Sequence, residues 1–106
     1  MNAGKSTALL QSAHNYHETG NETILFIPRE DADKNLGLIK SRIGLSASAV
    51  VIDSKLKIYN YVKKELSQRK VDAILVDEAQ FLKKHHVLQM CKVCDELLIP
   101  VMCYGI

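Results

Sequence analysis

No apolar run among the 106 residues approaches the roughly 20 needed to cross a bilayer, and no stretch has the pattern of a signal peptide. Low-complexity segments and internal repeats are missing too, which excludes a repeat architecture. There is no strong excess of one charge. Fourteen basic against twelve acidic residues leave +2, too little to argue for a nucleic-acid or acidic-membrane partner. Cysteine is scarce and odd in number. Cys91, Cys94 and Cys103 sit in apolar surroundings, which fits a reduced, cytoplasmic chain better than a disulfide framework.

What remains is one small globular domain, or a piece of one, with ordinary charged and apolar fractions. Leu9, Ala13 and Tyr16 fall at i, i+4, i+7 and predict an amphipathic helix over 6–18, ended by Gly20-Asn21. Ile24-Leu25-Phe26-Ile27 is a continuous apolar run closed by Pro28, the pattern of a strand buried on both faces. Residues 29–47 are polar and irregular, a connection long enough to suggest function or mobility. A short strand is expected over 49–52. Ile58, Val62 and Leu66 then mark a helix over 57–68, with lysines on its other side. Ala73-Ile74-Leu75-Val76 is a third buried strand, and a last strand covers 100–104. Between them, Val87, Met90, Cys91, Cys94 and Leu97 or Leu98 predict a helix over 85–97 with both cysteines in its core face. Strands alternating with helices mean an α/β fold, a parallel sheet and ligands at the strands' carboxyl ends.

Two segments carry chemistry. Gly4-Lys5-Ser6-Thr7 is the second half of a phosphate-binding loop. Its glycine lets successive N–H groups face phosphate oxygens, its lysine adds a point charge, and the Ser6 hydroxyl suits Mg²⁺. The helix starting there offers its positive end to the same anion. By itself the tripeptide also opens ordinary capped helices. Asp77-Glu78-Ala79-Gln80 follows directly on the strand at 73–76, where such a loop needs an acid to hold Mg²⁺ and where Glu78 can serve as general base. Alone, that pair reads equally well as the cap of the next helix.

Taken with their spacing, four blocks resemble the bacterial type II thymidine kinases. These are residues 1–11, Ser41-Arg42-Ile43-Gly44-Leu45, Val76-Asp77-Glu78-Ala79-Gln80-Phe81-Leu82, and Ile99-Pro100-Val101-Met102-Cys103-Tyr104-Gly105. The resemblance implies a phosphate-loop NTPase domain of RecA-like type that moves the γ-phosphate of ATP to the 5′-hydroxyl of thymidine. It implies a cytoplasmic, homo-oligomeric (usually tetrameric) enzyme of deoxynucleoside salvage that supplies DNA synthesis, with no nucleic-acid or membrane partner. Residue by residue, Asn2, Ala3, Gly4, Lys5, Ser6 and Thr7 would cradle ATP, with Ser6 and Asp77 toward Mg²⁺. Glu78 would be the catalytic base, with Asp77, Glu78, Ala79 and Gln80 along the nucleotide and Phe81 beside the thymine ring. Read without the resemblance, Phe81 is a core aromatic. Asp31 falls where the family has the first acid of an Asp-x-Arg triplet on the substrate side.

The sequence departs from that pattern at Asp33, which stands in place of the triplet's arginine, with Lys34 adjacent. Met1 coincides with a methionine inside the family's loop, so the chain is expected to start late and to lack the strand that feeds the loop. That strand is expected between the one ending at Asp77 and the one ending at Tyr104. Its loss would remove several buried side chains worth roughly 1.5–3 kcal/mol each, against a total stability of about 5–15 kcal/mol. The family's second domain, with a four-cysteine zinc site and a lasso loop, is not in this segment either. Residues 1–106 are therefore expected to be a partial kinase domain, marginal and inactive in isolation. His14, His17 and the His85-His86 pair read as surface histidines. A helicase-type ATPase, which shares GKST and Asp-Glu-Ala-Gln, is the rival reading. A nucleotide-binding remnant without catalysis is a third.

Overall fold

β1 (Thr23–Pro28) is the strand on which the others are laid. Its residues alternate between two apolar layers, Ile24 and Phe26 toward one and Leu25 and Ile27 toward the other, all of them buried. A strand buried on both faces has no use for alternating polarity, hence the unbroken apolar run. The computed structural model describes residues 3–28, 38–40 and 46–105, and for 3–6, 38–40 and 46–48 the backbone alone. Before β1 lies α1 (Ala3–Glu18), beginning three residues earlier than the apolar spacing predicts. After β1 come β2 (Leu38–Lys40), β3 (Ser46–Ser48), β4 (Val50–Ile52), α2 (Ile58–Leu66), β5 (Ala73–Val76), a 3₁₀ turn (Ala79–Phe81), α3 (Lys84–Leu97) and β6 (Val101–Cys103).

The main sheet is parallel throughout, in the order β4-β1-β5-β6. The α/β expectation is met: helices flank a parallel sheet on both faces. α1 lays Leu9 and Leu10 against Leu25, Ile27 and Leu75. On the opposite face, Ile58 and Val62 of α2 and Met90 and Val93 of α3 pack on Ile24, Phe26, Ile74 and Val76. Phe26 is fully buried and meets the Tyr61 ring edge-on, with centroids 5.9 Å apart. Each such buried side chain contributes about 1.5–3 kcal/mol relative to exposure, so these two layers supply most of the driving force.

β5 and β6 pair directly, Ile74 opposite Val101, Leu75 opposite Met102 and Val76 opposite Cys103. The bonds Ile74 N–H to Pro100 O (2.9 Å) and Tyr104 N–H to Val76 O (2.8 Å) belong to the same pairing. Three expectations need correction. The stretch 29–47 is not wholly irregular, because β2 and β3 form an antiparallel pair. α3 buries His86, Met90 and Val93, a stripe one residue out of phase with the one expected. Cys91 and Cys94 are therefore exposed, as is Cys103, and Val87 is exposed with them. His86 is buried at the helix start instead of solvated. Among the described residues no helix is long and apolar enough to cross a membrane.

The helix ends show how local chemistry sets the boundaries. At the end of α1, Gly20 sits at φ +82 while its N–H reaches His17 O and that of Asn21 reaches Tyr16 O. That is the paired bonding of a left-handed glycine stop. α3 stops the same way, but on Leu98, at φ 57 and 82% exposed. A Cβ in that conformation is strained, and an exposed leucine returns little packing. Leu98→Gly is therefore expected to stabilise the fold by about 1 kcal/mol, read as a rise in thermal melting temperature.

Candidate functional site

The parallel sheet gathers the described candidate residues toward one end. α1 joins β1 through the tight turn at Gly20, so it runs antiparallel to β1 and its amino end lies at the strands' carboxyl ends. Asp77 and Glu78 leave β5 at that same end. Gly4, Lys5 and Ser6 are thus in the first turns of α1, on the acid pair's side of the molecule, with only their backbone described. Thr7, also in α1, is half-buried. Asn2 and Asp31, like Asp33 and Lys34, lie outside the described residues.

Register places the acids. The Asp77 N–H donates to Phe26 O at 2.9 Å, continuing the β1–β5 ladder one residue beyond the strand. Its Oδ1 accepts the Glu78 N–H at 3.0 Å. Glu78 then turns left-handed, φ 51 and ψ 45, and its Oε1 accepts from Gln80 Nε2 at 2.6 Å. Both acids are about 1% exposed. Buried carboxylates are costly unless hydrogen-bonded, and among the described residues no buried side-chain polar atom lacks a partner. A non-glycine residue in the left-handed region is itself strained, and such strain concentrates where a side chain must be aimed.

Ala79 is buried in the 3₁₀ turn, its N–H donating to Tyr104 O at 2.9 Å. The Tyr104 hydroxyl donates to Ser12 Oγ at 3.0 Å, which ties the exit of β6 to α1. Gln80 is exposed. Phe81 is 46% exposed, so it is not the core aromatic its position alone suggests. Its ring instead walls a cavity of about 340 Å³ at the carboxyl ends of β1 and β4, with Pro28, Ile52, Asp53, Lys55 and His86. That volume lies in the range of small-molecule sites.

Sequence reasoning set His86 aside as a surface histidine and did not consider Asp53. His86 is 3% exposed and uses both ring nitrogens: Nδ1 accepts the Lys83 N–H at 3.3 Å, and Nε2–H donates to Asp53 O at 3.1 Å. The first is half of a capping box, a signal visible in hindsight as a histidine three residues after the cap. The second joins distant segments and leaves no local trace. Asp53 in turn accepts the N–H groups of Lys55 and Leu56 through Oδ1. Among the described residues no group of three His, Cys, Asp or Glu side chains could hold a metal on its own.

Burial first, then the neighbouring His85, pushes the His86 pKa below the ordinary 6.5, although its bond to Asp53 O pulls the other way. Below that value the unfolded chain takes up the proton before the folded one does. Stability from this site is therefore complete above 6.5 and is lost as the pH falls. Protonation would also put a hydrogen on Nδ1, facing the Lys83 N–H. His86→Gln, which can keep an acceptor for that N–H without titrating, is expected to flatten the decline in melting temperature between about pH 7.5 and about pH 5.5.

The whole chain, residues 1–106, matches the family model described as thymidine kinase. It is 45% identical over all 106 residues to a thymidine kinase of Zymomonas mobilis and covers 55% of that protein. It is likewise 45% identical to one of Yersinia pseudotuberculosis, covering 54%, and 44% identical to one of Haemophilus influenzae, covering 55%. The chain spans about half the length of these curated relatives.

Proposed function

The chain belongs to the thymidine kinase family, and from that premise we propose that its carboxyl-end cluster is part of a site transferring the γ-phosphoryl of ATP to the 5′-hydroxyl of thymidine. The observation that carries this reading is Glu78. A carboxylate almost fully withdrawn from water, strained into a left-handed turn and hydrogen-bonded by Gln80 is aimed, not merely solvated. Hydrogen-bonded in this way it can accept the proton of a sugar hydroxyl as that oxygen attacks phosphorus.

The other roles follow by position. Asn2 to Thr7 would supply amide and ammonium contacts to the phosphates, at the end of α1 that also presents its positive dipole. Mg²⁺ needs only one or two protein carboxylates and keeps waters and phosphate oxygens for the rest, so Asp77 with the Ser6 hydroxyl fits it without a three-residue cluster. When bound, that ion would neutralise charge on the β- and γ-phosphates. Phe81 offers an aromatic face to the base from the wall of the cavity, and Asp31 would act on the substrate side. The match to thymidine kinases along the full chain displaces the helicase-type alternative. We further place the protein in the cytoplasm as a homo-oligomer without nucleic-acid or membrane partners.

Glu78→Gln tests the assignment because it keeps the shape and removes the base. Thymidine phosphorylation, at whatever rate this chain supports, is expected to fall by about 10²-fold or more, while ATP with Mg²⁺ still raises the melting temperature. Phe81→Ala is expected to weaken stabilisation by thymidine and leave that by ATP unchanged. Undiminished turnover in Glu78→Gln would remove the residue from its role.

A further inference from the structure

We propose that Gly105 is a positioning residue for Glu78, holding the left-handed turn of the base by direct backbone contact; this rests on the reading of Glu78 given above. The chain leaving β6 passes across the Asp77–Glu78 turn instead of away from it. The Tyr104 N–H binds Val76 O and its carbonyl receives the Ala79 N–H, so the two segments are bonded on both sides of Glu78. Gly105 follows at φ +96. A Cβ placed there would lie 2.9 Å from Glu78 Cα, 3.0 Å from Glu78 N and 2.8 Å from Gln80 Oε1.

Two of those three atoms are backbone and cannot swing aside, and the third belongs to the side chain that donates to Glu78 Oε1. A side chain at residue 105 therefore forces a shift at this contact, of Glu78, of Gln80 or of the β6 exit that presses on them. The absence of a Cβ lets the β6 exit press flat against the turn and helps fix Glu78 at φ 51. Tyr104 anchors the same exit to Ser12 on α1, so the contact also ties the base to the helix that begins at the phosphate-binding segment.

The molecule contains its own control. Gly20 is also left-handed, at φ +82, but a Cβ there meets nothing within 4 Å. Gly20→Ala thus measures conformational strain alone, and Gly105→Ala measures strain plus displacement of Glu78. The readouts are the side-chain amide NMR signals of Gln80, whose Nε2 donates to Glu78, and the kinetics of thymidine phosphorylation.

In Gly105→Ala the Gln80 amide signals are expected to shift and exchange faster, and kcat to fall at least tenfold with the KM for thymidine nearly unchanged. Gly20→Ala is expected to lower the melting temperature while leaving the Gln80 signals and kcat in place. Should Gly105→Ala not fold, Gly105→Asn carries the same Cβ but tolerates the left-handed backbone better, and the same shift is expected. Gln80 signals that stay put in a folded Gly105 variant would overturn the proposal. If those signals move while kcat in the variant stays at the wild-type value, the contact stands and the reading of Glu78 as base fails instead.

Discussion

The pairing of β1 with β5 is the constraint the rest of the molecule depends on. Its register, Thr23 opposite Ala73 through Phe26 opposite Val76, is extended by the Asp77 N–H to Phe26 O bond. Both strands are buried on two faces, so a slip of one residue would exchange the layers under α1 and under the α2–α3 pair. That double burial makes the register stiff. A stiff register fixes where the sheet ends, and the acid pair begins at the next residue.

Several features at the carboxyl ends follow from that boundary. Asp77 and Glu78 are nearly inaccessible to water, yet each takes part in hydrogen bonds that make burial tolerable: the Glu78 amide onto Asp77, and the Gln80 amide onto Glu78. Tyr104 closes the group from the far side of the sheet, bonded through its backbone to Val76 and Ala79 and through its hydroxyl to Ser12. The acids are held by neighbouring strands and a helix as much as by their own turn. This is how a small domain can keep a strained residue such as Glu78 in place.

α3 shows the same logic at the other wall of the cavity. It carries two apolar stripes one residue apart, Val87-Cys91-Cys94-Leu98 and His86-Met90-Val93-Leu97, and only the second is buried against the sheet and α2. A histidine at the head of the buried stripe would ordinarily be penalised. Here the Lys83 amide and the Asp53 carbonyl meet both ring nitrogens. The loop after β4 supplies one of those partners, so burial of His86 and the shape of the Phe81 cavity have a common origin.

Length and composition of the apolar runs were enough to specify the strands at 24–27 and 73–76. Side-chain spacing likewise specified the helices, and Gly20 the end of α1, because these features are properties of consecutive residues. The Gly4-Lys5-Ser6-Thr7 segment and the acid pair were visible for the same reason: each is a local pattern of consecutive residues. The short β2–β3 pair was not legible, since Leu38-Ile39-Lys40 and Ser46-Ala47-Ser48 carry too little strand preference to stand out without each other. Nor was the phase of α3, which depended on a carbonyl 33 residues away in sequence. The adjacency of β5 and β6, the exposure of Phe81 and the contact of Gly105 with Glu78 were decided only by tertiary structure. Each is a meeting of segments far apart in the chain, and no residue carries the chemistry of a neighbour it has yet to acquire.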